Sequence, residues 1–169
     1  FTEILDLVDI FEPEIVRNEE DFEKQLFQFL KAAFRHESKI SITRQERIGD
    51  TKIDIVIYGQ KGRYGIELKI ADNRTKLQTL VGQVMEYKEY FDHIIAIILD
   101  VGYNVDLGKF QKMLKSLDVE VKILKGVVRK IGRSKEIVIK YWKKGVYMSD
   151  DLAAIIVGAV LIYAGLRGF

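Results

Sequence analysis

Cysteine is absent from the 169 residues, proline occurs once and histidine twice. Without cysteine there are no disulfides and no thiolate metal sites. With only His36 and His93, a histidine-rich zinc site is not expected. Charge of one sign is also lacking. Lys plus Arg number 27 against 25 Asp plus Glu, a net charge of +2. That excess is too small to indicate a nucleic-acid partner by itself, so such a partner must be read from local charge. The first residues are acidic and carry no basic stretch ahead of an apolar one, so no signal peptide is expected and a cytoplasmic location is. The chain opens on Phe1 rather than Met, which leaves room for residues ahead of it. Carboxylates are plentiful, and they suit a hard cation such as Mg²⁺. Hydrophobic residues make up 48% and charged residues 31%, the balance of one folded domain with a sizeable core.

Periodicity predicts the elements. Residues 2–11 read as a short helix stopped by Glu12-Pro13. Asn18 is a good N-cap, and Glu19, Glu20 and Asp21 fill the first turn, where carboxylates favour the helix dipole. Helical spacing then runs to about Arg35. Residues 39–47, 52–58 and 64–70 alternate as strands around turns at Gly49-Asp50 and 59–62. In the second of these, Ile53, Ile55 and Ile57 are expected on one side and Asp54, Val56 and Tyr58 on the other. A helix over 75–91, an apolar strand over 93–100, a helix over 106–116 and a strand over 119–124 follow. Segments 126–131 and 136–142 read as a hairpin around Gly132-Arg133-Ser134. Short turns first and strand–helix–strand units later predict an α/β fold: a mixed central β-sheet flanked by helices on both faces. The expected division is a main domain over 1–148 and an apolar helix over 149–169.

Chemistry concentrates on Ile66-Glu67-Leu68-Lys69-Ile70. A period of two puts Glu67 and Lys69 on one face of an otherwise apolar strand. Asp54 lies in the preceding strand among isoleucines. If the two strands pair, Asp54 and Glu67 approach, and two neighbouring carboxylates repel unless a cation lies between them. Mg²⁺ takes one or two carboxylates, a carbonyl and several waters. A lysine beside it can hold an attacking hydroxide or stabilise charge on a phosphate.

Asp54, twelve intervening residues and Glu67-Leu68-Lys69 resemble the signature of the PD-(D/E)XK nuclease superfamily. A helix acid, Glu23, precedes it, and a helix with Gln83-Val84-Met85-Glu86-Tyr87 follows, similar to the family's Q-x-x-x-Y element. The likeness covers about residues 18–125 and departs in lacking a proline before Asp54. It implies a restriction-endonuclease-like core and Mg²⁺-dependent hydrolysis of DNA phosphodiester bonds leaving 5′-phosphate ends, with Mn²⁺ as a substitute metal. It implies metal ligation by Asp54, Glu67, the Leu68 carbonyl and Glu23, with Lys69 positioning water. Gln83 and Tyr87 would then hold the DNA backbone or the lysine.

Blander readings stand beside each assignment. Glu67 and Lys69 could be a surface ion-pair ladder, and Gln83 and Tyr87 the polar flank of an amphipathic helix. Glu19, Glu20 or Asp21 could replace Glu23, or all could be helix-capping charges. Arg44, Arg47, Lys52, Arg74 and Lys76 surround the motif and are expected to contact DNA, although charge runs are usually solvated faces. The C-terminal third is also basic. Residues 152–166 carry no charge and no polar face. Fifteen residues fall short of a bilayer span, and a helix apolar all round needs cover from core, partner or lipid. A homodimer or a membrane contact through 152–166 is therefore expected. The alternative to an enzyme is a non-catalytic DNA-binding or membrane-attached scaffold on the same fold.

Overall fold

A computed structural model describes residues 1–139. Helix α1 spans Thr2–Ile10 and α2 spans Glu19–Ala33. Asn18 caps α2 by accepting a hydrogen bond from the Asp21 N–H at 2.8 Å, as the run of polar residues there predicts. Three antiparallel strands follow: β1 (Ser41–Ile48), β2 (Thr51–Gly59) and β3 (Gly62–Ala71). Helix α3 (Arg74–Tyr87) leads to β4 (His93–Asp100), and α4 (Leu107–Ser116) leads to β5 (Val119–Ile131). Strands β3, β4 and β5 are mutually parallel, while β6 (Ser134–Ile139) turns back antiparallel to β5. The six strands lie in their order along the chain.

Alternation along the strands sorts the core onto two faces. Ile55, Ile57, Ile66, Leu68, Ile70, Ile95, Ile97 and Leu99 pack with α1 and α2. Val56, Ile94, Ala96 and Ile98 pack with Leu77, Leu80, Val84 and Tyr87 of α3 and with α4. The expected mixed sheet with helical cover on both faces is the observed architecture.

Three local expectations are corrected. Residues 119–131 form one strand, not two segments broken near Gly126. That glycine serves a close approach: a Cβ there would lie 2.6 Å from Ile137 Cγ2 and 3.2 Å from Leu99 Cδ1. Helix α3 ends at Tyr87, and Lys88–Tyr90 is a separate 3-10 turn. Ile53 packs with the α3 face, opposite to Ile55 and Ile57, so the alternation of β2 breaks at Asp54. The β2–β3 ladder ends at Ile55↔Ile66, and beyond it β2 is free to turn. The hairpin is present as β5–β6, with its second strand starting two residues earlier than expected. The expected boundary at 148/149 and the apolar helix over 149–169 lie outside the described residues. Among those residues no helix is long and apolar enough to cross a membrane.

Candidate active site

The site lies in the fork where β2 leaves β3. Past Ile66, β3 has lost its backbone partner on that side, and its orphaned N–H groups are taken by side chains. Asp54 Oδ2 accepts from Leu68 N at 2.8 Å, and Glu19 Oε1 accepts from Ile70 N at 3.1 Å. A buried N–H without a partner costs about as much as a lost hydrogen bond, so these carboxylates also complete the sheet edge. N–H and C=O of one strand residue point the same way, so the Leu68 carbonyl faces the fork as well.

Glu67 and Lys69 leave β3 on the α3 face. Glu67 is 1% exposed. Its Oε2 accepts from the Tyr87 hydroxyl at 3.0 Å, and its Oε1 lies 3.4 Å from Lys69 Nζ. Lys69 Nζ is also 3.8 Å from Glu19 Oε2. Burial pushes the Glu67 carboxyl up to about 8, with the Asp54 charge adding to it and Lys69 and Tyr87 opposing. Burial likewise pushes Asp54 up to about 6; the Leu68 N–H and Lys69 oppose this, while Glu23 and Glu19 add to it. Tyr87 is held well above the ordinary phenol range, first by burial and then by the Glu67 charge. Two crowded carboxyls of this kind gain from a divalent cation between them. Among the described residues no group of three or more His, Asp and Glu side chains is arranged to hold a metal ion. The donors fit Mg²⁺ as a pair of carboxylates with the Leu68 carbonyl, the remaining positions being water.

The other expected residues divide. Tyr87 reaches Glu67. Gln83 lies one turn earlier on α3, and its Oε1 is buried without a hydrogen-bond partner among the described residues. Glu23 is 3% exposed, and both of its oxygens are engaged, one by Arg44 Nε at 2.6 Å and the other by Gln45 Nε2 at 2.5 Å. Arg44 is thereby turned inward, and its guanidinium stacks over Phe27. Lys76 is held between Asp72 and Glu19, at 2.9 and 3.4 Å. Arg47 and Lys52 face each other across the β1–β2 hairpin and are exposed. Arg74 starts α3.

Glu19, weighed in the sequence as a replacement for Glu23, is the acid of the α2 first turn that stands beside Lys69. One participant, Gln45, gave no signal in the sequence. It donates from one amide to Glu23 Oε2 and to Asp54 Oδ1, the latter at 3.2 Å. Its φ is +51°, and it stands opposite Asp54 at the one step where the β1–β2 pairing between Ser41 and Ile48 is interrupted. A non-glycine residue kept in that region within a strand marks a backbone constrained by its surroundings.

Residues 5–104 match the family model described as "Domain of unknown function (DUF8371)". The chain belongs to this family. The matched stretch contains every residue of the fork and stops short of β5 and β6. No curated protein matches the chain. Among solved structures, SfsA of Pyrococcus furiosus in complex with Ca²⁺ is similar at 16% identity and a TM-score of 0.44, over 70% of this chain and 62% of that one. A protein of unknown function, AF1548, is similar at 13% identity and a TM-score of 0.38, over 58% and 55%. The chain thus spans less than two thirds of either protein, and at these values neither likeness speaks to function.

Proposed function

We propose that the protein is a metal-dependent DNA endonuclease with a restriction-endonuclease-like, PD-(D/E)XK core, hydrolysing phosphodiester bonds to leave 5′-phosphate ends. The observation that carries this reading is the pairing of Asp54 and Glu67 at the fork, their carboxyls raised to about 6 and about 8, with Lys69 against Glu67. Asp54, Glu67 and the Leu68 carbonyl would hold Mg²⁺ or Mn²⁺. Bound there, the ion would supply a low-pKa water and neutralise charge on the phosphate. Lys69 orients the attacking water and offsets charge developing on the phosphate oxygens. Tyr87 fixes the Glu67 rotamer, and the Gln83 carbonyl, which has no hydrogen-bond partner among the described residues, is available to Lys69 or a bound water. Glu19 holds Lys69 from the α2 side, and Glu23 holds Asp54 through Gln45. The partners proposed with this reading are DNA and a second copy of the chain or a lipid surface met by 152–166, in the cytoplasm.

The test is cleavage of DNA in Mg²⁺ by the wild type, Lys69→Ala and Glu67→Gln. Lys69 acts on the transition state rather than on ground-state binding, so its loss is expected to lower cleavage by roughly 10²-fold or more while folding and DNA affinity persist. Equal cleavage by all three, insensitive to EDTA, would sink the assignment. Wild-type protein that binds DNA but never cleaves in Mg²⁺ or Mn²⁺ would leave the non-catalytic scaffold in its place.

A further inference from the structure

Strand β5 outruns the sheet. Its pairing with β4 stops at Asp100↔Lys125, but it continues through Ile131 paired only with β6. The last six pairs form a two-stranded ribbon, about 20 Å long at ~3.3 Å per residue. Its base is fixed. Val16 and Ile137 exchange backbone hydrogen bonds of 3.0 and 2.8 Å, and Ile137 is buried over Gly126 and Leu99. Val16 lies just before the Asn18 cap, so the ribbon is tied to the segment that launches Glu19 and Glu23.

The ribbon's two faces differ in charge. On one, Arg129 is neutralised by Glu136 at 3.4 Å. On the other, Lys130 stands directly opposite Lys135, with Arg133 in the turn between them. Among the described residues no carboxylate pairs with these three cations. Like charges directly opposite each other destabilise a strand pair, and a polyanion relieves the repulsion.

Topology sets where this charge lies. Because β3, β4 and β5 are parallel, the ribbon projects from the end of the sheet towards which Lys69 lies. The β1–β2 turn is at the same end, since Thr51 begins the strand antiparallel to β3. It carries a second cross-strand pair of like charge, Arg47↔Lys52, in which Arg47 also lies 4.0 Å from Asp50, with both side chains exposed. Five strand spacings of ~4.8 Å, about 24 Å, separate the outer strands of the two hairpins, and the fork lies between them.

We propose that the β1–β2 and β5–β6 hairpin tips are two arms of a phosphate clamp for duplex DNA, with Lys130, Arg133 and Lys135 as the second arm. The clamp rests on the reading of the fork as a nuclease site and names its substrate class as a duplex that reaches both arms. The test is anisotropy of a labelled duplex with the full chain in EDTA, where binding is separated from cleavage. The probes are Lys130→Gln/Arg133→Gln/Lys135→Gln, the single Lys130→Gln, and a control, Lys31→Gln/Lys39→Gln/Lys61→Gln, at the end of the sheet away from the fork. Losing three phosphate contacts should weaken binding roughly ten-fold or more and lower the slope of log K against log salt by about 2 to 3; the single change should lower it by about 1. The control should bind as wild type. Unchanged slopes in both ribbon variants would overturn the clamp, as would a wild type that binds no duplex. So would ribbon-dependent binding to vesicles of anionic phospholipid in place of DNA. Duplex binding through the ribbon without cleavage in Mg²⁺ would sink the nuclease reading and spare the clamp. Cleavage with ribbon-independent binding would do the reverse.

Discussion

Gln45 shows most directly what single residues contribute at the fork. Its left-handed φ of +51° costs an L-residue roughly 1–2 kcal/mol that glycine does not incur. Gln45→Ala and Gln45→Gly both remove the amide shared by Glu23 and Asp54, so comparing them isolates the backbone. Glycine is expected to be the more stable by about 1 kcal/mol, the reverse of its usual rank in a strand. Urea unfolding of the two variants measures this, and an alanine variant as stable as the glycine one would mean that the backbone is unstrained. The raised carboxyls make a second prediction. Folded Glu67 keeps its proton up to about 8, against an ordinary value of 4.5, and Asp54 up to about 6, against 3.8. The folded state therefore binds more protons than the unfolded one between these limits, and stability falls as pH rises. The contribution is full below about pH 4 and is lost as pH passes about 6 and then about 8, with a slope of at most about 1.4 kcal/mol per pH unit for each group. In metal-free protein, Glu67→Gln should flatten the decline between pH 6 and 8. Parallel pH profiles for wild type and variant would contradict it.

At the scale of elements, strand packing explains Gly65. A Cβ on it would lie 2.5 Å from Ile53 Cδ1 and 3.2 Å from Phe91, because the turn of β2 at Asp54 swings Ile53 across β3. Gly65→Val is expected to cost about 1–3 kcal/mol through overpacking, read as a lower urea midpoint at unchanged m-value; an unchanged midpoint would mean the site has room. Strong periodic signals were legible in the sequence. The apolar strand over 93–100, the Asn18 cap and the alternation that sets Glu67 beside Lys69 all match the structure. What escaped depends on where strands part company. Ile53 changes face because the ladder ends at Ile55↔Ile66, and no local pattern announces that. Gly126 resembles a turn in sequence but accommodates Ile137. Arg44 reads as a surface cation, yet the buried Glu23 draws it inward. Gln45 acquires its place, and Glu19 rather than Glu23 reaches Lys69, only once α2 and β1 meet at the fork.

At the scale of the whole molecule, residues 152–166 carry no charge and are expected to need apolar cover from core, partner or lipid. Light scattering of the full chain in buffer and in detergent is expected to report a dimer or a detergent-dependent mass. A monomer of the same mass in both would show that the segment is ordinary core, and the dimer and the lipid contact would then both be dropped. The strand order has a separate consequence for how the chain folds. Every strand joins the one that precedes it in sequence, so none must wait for a later strand to be inserted beside it. Loop-closure entropy is met in small instalments, and a nascent chain can extend the sheet from one side as it emerges. The exception is the bridge from Val16 to Ile137, which joins the earliest part of the chain to the last strand described. Closure of this bridge is therefore expected to be the late event in folding.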